Sequence, residues 1–193
     1  MLSGGVDSVA LAFWKRPQVA MTIDYGQRAA LAEVNVSRHI CSLLEIDHVI
    51  IRVDCSSLGS GDMAGLSPLR DAPVSEWWPY RNQLLATLAG MKAIAIGATE
   101  IMLGSVATDA SHIDGTLRFY DALNTLMAMQ EGALTVSAPA LGMTTSELVR
   151  TSGIDRGLLS WAHSCHTSIL ACGNCRGCYK HQQVMGELYQ DPY

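Results

Sequence analysis

The chain has 193 residues, of which 49% are hydrophobic and 16% charged, with a formal net charge of −5. That length supports one domain with a sizeable core. The sparse, acidic charge argues against a surface built for duplex nucleic acid and in favour of a small-molecule substrate. No apolar window reaches the length of a membrane span and the start has no basic leader, so a cytoplasmic setting away from membranes is expected.

Residues 1–8, MLSGGVDS, read as a strand end, a glycine turn and the start of a helix whose apolar face holds Val6, Val9, Ala10, Phe13 and Trp14. Only Met1 and Leu2 precede the turn, so the first strand is either very short or begins late. Gly4 and Gly5 let a ligand approach the backbone, and a helix beginning here aims free N–H groups and its positive end at the turn. Ser3 and Ser8 add hydroxyls. Such a place suits a phosphate; the plainer reading is a tight turn capped by Asp7. No Gly-Lys-Ser/Thr follows, which excludes a Walker A loop, and no third glycine makes a dinucleotide fingerprint.

Farther along, strands are expected over 18–25 and 48–54, with a helix over 29–44 between them. Residues 55–79 are rich in Gly, Ser and Pro and read as a long functional loop. Trp77 and Trp78 within it are expected to cover apolar surface, with stacking on a purine as the other reading. A helix over 84–98, a strand over 100–106, a polar loop over 107–115, a helix over 117–129 and a last strand over 134–141 follow. Thr144 and Glu147 match a capping box. The alternation predicts an α/β fold: a parallel sheet of about five strands with helices on both faces, and ligands beyond the carboxyl ends of the strands. Leu126 to Met129 read as core or a subunit contact.

Cys165, Cys172, Cys175 and Cys178 form C-x6-C-x2-C-x2-C. Four thiolates from so short a stretch describe a structural zinc site, with an iron–sulfur cluster or unligated thiols as the other readings. His163, His166 and His181 flank them and are expected around the ligands, not as ligands. Cys41 and Cys55 read as packing residues.

These motifs together carry a resemblance. SGGVDS at 3–8 resembles the pyrophosphate loop (PP-loop) of the ATP-pyrophosphatase superfamily. Combined with DYGQR at 24–28, Pro79-Tyr80-Arg81-Asn82, Leu103-Gly104-Ser105 with Asp109, and Ser164-Cys165 followed by CGNCRGC at 172–178, it resembles the 7-cyano-7-deazaguanine synthase (QueC) family over nearly the whole chain. The resemblance implies a Rossmann-like, adenine nucleotide alpha hydrolase-like domain over 1–160 and a C-terminal zinc segment over 161–193. It implies an ATP-dependent ligase that adenylates 7-carboxy-7-deazaguanine and uses ammonia to make the amide and then the nitrile, with ATP, Mg2+ and Zn2+ as cofactors. Ser3, Gly4, Gly5, Val6, Asp7, Ser8, Tyr25, Gln27 and Gly104 would bind the nucleotide. Arg81, Asn82, Asp109 and Asp114 would bind the deazapurine, and Asp7, Ser8 and Arg81 would stand at the reacting centre. A homodimer is also implied.

Two departures from the family pattern stand out. Thr145 occupies a position where the family has Lys, which leaves its charge to Arg81, Arg150 or Lys180. Asp114-Gly115-Thr116, with Arg118, replaces an Asp-Cys-Arg run. They open two alternatives: a diverged relative in DNA modification or phage defence that joins a deazapurine to a macromolecular acceptor, or a non-catalytic nucleotide-binding subunit.

Overall fold

The computed structural model describes residues 1–190. In chain order it contains α1 (Val6–Lys15), β1 (Val19–Asp24), α2 (Ala30–Leu44), β2 (Asp47–Arg52), α3 (Gly61–Ala64), α4 (Arg81–Ala95), β3 (Glu100–Met102), α5 (Leu117–Ala128), β4 (Thr135–Ser137), α6 (Thr145–Ser152), α7 (Arg156–Leu159) and α8 (Arg176–Tyr189). β1 pairs with β2 in parallel from Val19↔Asp47 to Asp24↔Arg52, and β3 with β4 from Glu100↔Thr135 to Met102↔Ser137.

The expected sheet of five strands is therefore four strands in two parallel pairs. The cause is the shortness of the leading segment. Met1 and Leu2 lie between the pairs and make one backbone bond to each: Leu2 N donates to Met21 O at 2.8 Å, and Met1 N to Met102 O at 2.7 Å. Two residues cannot close a ladder, yet they join the halves in the order β2, β1, residues 1–2, β3, β4. Chain direction across the sheet reverses where residues 1–2 enter the glycine turn, which is where open α/β sheets bind ligands.

The last two strands are shorter than their apolar runs. β4 stops at Ser137 because Pro139 has no N–H to give a ladder and Leu141 N turns back to Ala138 O. Residues 55–79 are mostly irregular, with a 3-10 turn at Ser56–Leu58 and the short α3. Trp78 is 3% exposed and stands edge-on to Tyr25 at 4.9 Å, so it packs, as its apolar bulk predicts.

Two cores flank the sheet. Val6, Val9 and Ala10 of α1, Ile40 of α2, Leu148 of α6, Leu159 of α7, and Val184 and Met185 of α8 meet on one side. Met21 and Ile23 of β1, Ala86 and Ala89 of α4, and Tyr120, Leu123 and Met127 of α5 meet on the other. β1 feeds both, with Ala20 on one face and Met21 on the other, as a strand buried on two faces must. Among the described residues no helix is long and apolar enough to cross a membrane.

Candidate active site

The glycine turn has the shape its sequence predicts. Gly4 has φ +76°, where a side chain is strained, and an added Cβ would lie 3.2 Å from Val36 Cβ, so the packing there is tight as well. Gly5 is the N-cap of α1 and supplies no side-chain bond, and Asp7 does not cap the helix. The first N–H groups of α1 therefore remain for a ligand. The hydroxyls hold the turn itself: Ser3 Oγ donates to Ser8 Oγ at 3.2 Å, and Ser8 Oγ to Gly5 O at 3.0 Å. His163 N donates to Gly4 O at 2.8 Å, so the segment before the cysteines braces the turn from outside. At the exit of β3, Gly104 lies so close that an added Cβ would be 3.3 Å from Ser8 Cα.

A cavity of about 630 Å³ opens over this turn. Ser3, Gly5, Val6, Asp7, Ser8, Tyr25, Arg81, Asn82, Gly104, Asp109 and Asp114 all line it, drawn from the glycine turn and the start of α1, the exits of β1 and β3, the start of α4, and the 3-10 turns at Ala107–Ser111 and Ile113–Gly115. Gly4 and Gln27 do not. Gln27 is buried and spends its amide on Ile23 O (3.1 Å), Glu33 Oε2 (2.8 Å) and the N–H of Tyr25 (2.9 Å). Asn82 is tied to Asp114 by Nδ2 to the Asp114 carbonyl at 2.9 Å and by its own N–H to Oδ2 at 3.3 Å.

The cavity also takes in residues outside the expected nucleotide and substrate sets, among them Lys180, which the sequence offered only as one of three stand-ins for a lysine at 145. Glu33 of α2 reaches the cavity, and burial pushes its carboxyl up to about 7 against the opposing pull of Gln27 and Arg81. Tyr25 is also raised by burial. Glu76, buried in the long loop, meets Arg176 of α8 at 3.0 Å. Lys180 of α8 points its Nζ at Asp7 Oδ2 (2.8 Å) and Asp109 Oδ1 (3.4 Å). Burial works against the lysine's charge, but the two carboxylates outweigh it and hold its pKa above the ordinary value. Asp7 is pushed upward by burial, and Lys180 and the Thr145 hydroxyl pull it back. Of the three bases offered by the sequence in place of a lysine at 145, Lys180 pairs with the turn, Arg81 lines the cavity, and Arg150 lies exposed on α6.

Thr145 is 3% exposed and opens α6 behind its Thr144–Glu147 capping box. Its Oγ1 and Asp7 Oδ1 are both buried without a hydrogen bond of good geometry, although the hydroxyl lies near enough to affect the carboxyl. Both residues border a second, small cavity of about 20 Å³ with Lys180.

The four cysteines converge. All four Sγ atoms lie within 4.8 Å of one another, a group that can hold one metal ion. Cys175 also caps α8, its Sγ accepting from Cys178 N at 3.4 Å. The N–H of His166 donates to the same sulfur at 3.4 Å, so His166 surrounds the group without entering it. Cys165 lines the large cavity, which places the cysteine group next to it.

Comparison with known proteins agrees along the whole length. A family model described as "Queuosine biosynthesis protein QueC" matches residues 1–188. Among curated relatives, the 7-cyano-7-deazaguanine synthase of Nitrosomonas europaea is 31% identical, the alignment covering 93% of this chain and 87% of that one. The enzyme of the same name from Chlorobaculum tepidum is 30% identical over 99% and 92%. That from Methanocaldococcus jannaschii is 25% identical over 95% and 92%.

Proposed function

The chain belongs to the QueC family of queuosine biosynthesis proteins, and on that premise we propose that it is an ATP-dependent carbon–nitrogen ligase. It adenylates the carboxylate of 7-carboxy-7-deazaguanine, or a close relative, and ammonia then converts it to the amide and the nitrile. The observation that carries this reading is a juxtaposition. The uncapped start of α1, the Asp7–Lys180 pair and the polar set Arg81, Asn82 and Asp114 all line one cavity.

The chemistry needs each part. Carboxylate oxygen is a poor leaving group, and transfer of AMP to it makes a good one. Charge gathers on the departing pyrophosphate, where the N–H groups of Val6, Asp7 and Ser8 would receive it. Ammonia displaces AMP to give the amide. A second adenylation, at the amide oxygen, lets AMP leave with that oxygen and yields the nitrile. Arg81 would hold the acid, and Asp114 would accept N–H bonds from a guanine-like edge. Tyr25 and Gly104 would border the nucleotide.

Six carboxylates and three basic side chains line the cavity, so a polyphosphate there calls for a divalent cation. Asp7 and Asp109, which both line the cavity, fit magnesium, which takes one or two carboxylates beside phosphate oxygens and water. When bound, magnesium would offset phosphate charge. For the cysteines, zinc–sulfur bonds of about 2.3 Å in a tetrahedron set sulfurs about 3.8 Å apart. The Cys172–Cys178 and Cys165–Cys175 pairs lie at 3.9 Å, so Cys165, Cys172, Cys175 and Cys178 would hold a closed, structural zinc. We take residues 1–160 as the nucleotide-binding body and 161–193 as the metal segment. Reduced thiols suit a cytoplasmic protein, and the exposed Leu126 and Met129 would serve contact with a second copy.

The test is mass spectrometry of a reaction holding the protein, magnesium ATP, 7-carboxy-7-deazaguanine and ammonium. Amide or nitrile with AMP is the expected result. AMP without either product would point to a macromolecular acceptor, and no AMP from a folded protein would reduce the chain to a nucleotide-binding subunit.

A further inference from the structure

We infer that Lys180 is the phosphate-binding cation of this chain, delivered to the Ser3–Ser8 turn from α8, and that it shares the two oxygens of Asp7 with Thr145; the inference rests on the reading of that turn as a phosphate cradle.

The Lys180 ammonium bonds Asp7 Oδ2 at 2.8 Å and Asp109 Oδ1 at 3.4 Å. These contacts use two of its three donors, and Lys180 itself lines the large cavity. Of the other two bases there, Arg176 faces Glu76 at 3.0 Å, and Arg81, set against the Met63 sulfur at 3.0 Å, is assigned to the acid. A lysine is a point charge on a flexible stem, so it can meet a phosphate oxygen without leaving the turn.

The second observation is independent. Asp7 Oδ1 is buried without a partner, and so is the hydroxyl of Thr145, a side chain 97% buried by its 3% exposure. Both line the cavity of about 20 Å³ that Lys180 also borders. Buried polar groups without partners are rare and costly. Asp7 thus offers one oxygen to position 180 and turns the other toward position 145. Both positions border that cavity beside the same carboxylate, so either can bring a cation to it. α8 is firmly seated for this task, with Val184 and Met185 buried in the core that holds α1.

Binding of inorganic pyrophosphate with magnesium, followed by calorimetry, tests the assignment. Lys180→Met should weaken it at least about tenfold, the loss of one charge-assisted contact. Thr145→Lys in the Lys180→Met background should recover most of that loss. Amine labelling of the wild type gives a reading that needs no variant. The chain has three lysines, Lys15, Lys92 and Lys180, and magnesium pyrophosphate should slow labelling of Lys180 at least threefold while leaving the other two unchanged. Wild type that does not bind pyrophosphate, Lys180→Met that binds within threefold of it, or unchanged labelling of Lys180 would each overturn the assignment. A folded double variant that binds no better than Lys180→Met would overturn the shared carboxylate. Failure of the ligase reading looks different: pyrophosphate bound through Lys180, with no AMP formed from the acid.

Discussion

At the scale of residues, Glu33 carries the clearest dependence on pH. Its carboxyl is raised from the ordinary glutamate value to about 7, first by burial. Between about pH 4.5 and 7 the folded chain keeps this proton and the unfolded chain has lost it, so stability falls as pH rises through that window. The contribution is fully present below the unfolded value and gone above about 7, on the order of 3 kcal/mol in all. Glu33→Gln mimics the protonated form, and chemical denaturation at a series of pH values should show this drift removed. A drift that persists unchanged would assign it to another group. That Asp7, Arg81 and Asn82 border the cavity was legible because each sits in a short motif at a helix start, whereas Asp109 and Asp114, in a polar loop, were named only through the family resemblance. Glu33 was not legible, and Lys180 was legible only as one of three stand-ins for a lysine at 145, because tertiary folding alone brings them in: Lys180 lies 173 positions from the aspartate it pairs with. Gln27, read as a nucleotide ligand, has its amide taken up by the end of β1 and by Glu33.

Among the elements, α8 links metal binding to the cavity. Its N-cap is Cys175, its first turn holds Cys178, and Lys180 follows on the same helix. Removal of metal by a chelator should lower the melting temperature and expose the chain to trypsin after Arg176 and Lys180, because binding to a closed cysteine site is folding free energy. An unchanged melt and digest would mean that the cysteines hold no structural ion. On α6, Leu148 is 0% exposed in the same core as α1. Leu148→Ala should cost about 2–5 kcal/mol in denaturant melts, and a loss under about 1 would show that α6 is not packed as described. Helix starts were readable where capping chemistry is local, as at Thr144. Strand ends were not, because an apolar run does not reveal where its ladder partner stops; the run over 134–141 yields three paired residues before Pro139.

For the whole molecule, the decisive feature is the order β2, β1, residues 1–2, β3, β4, which puts the glycine turn at the reversal point and the cavity above it. Alternating strands and helices made the layered architecture legible from periodicity. The division into two ladders was hidden, since it depends on how few backbone bonds two residues can make. Acidic side chains outnumber basic ones around the cavity, so pyrophosphate binding should fall steeply when magnesium is withheld, and titration with and without the metal checks this. The central claim is adenylation of the substrate's own oxygen. It is tested most directly with 7-carboxy-7-deazaguanine labelled with ¹⁸O in both carboxylate oxygens, magnesium ATP and ammonium, with AMP and product weighed by mass spectrometry. One ¹⁸O in each AMP and none in the nitrile is the predicted result. AMP free of label, or a nitrile made without AMP, would contradict it.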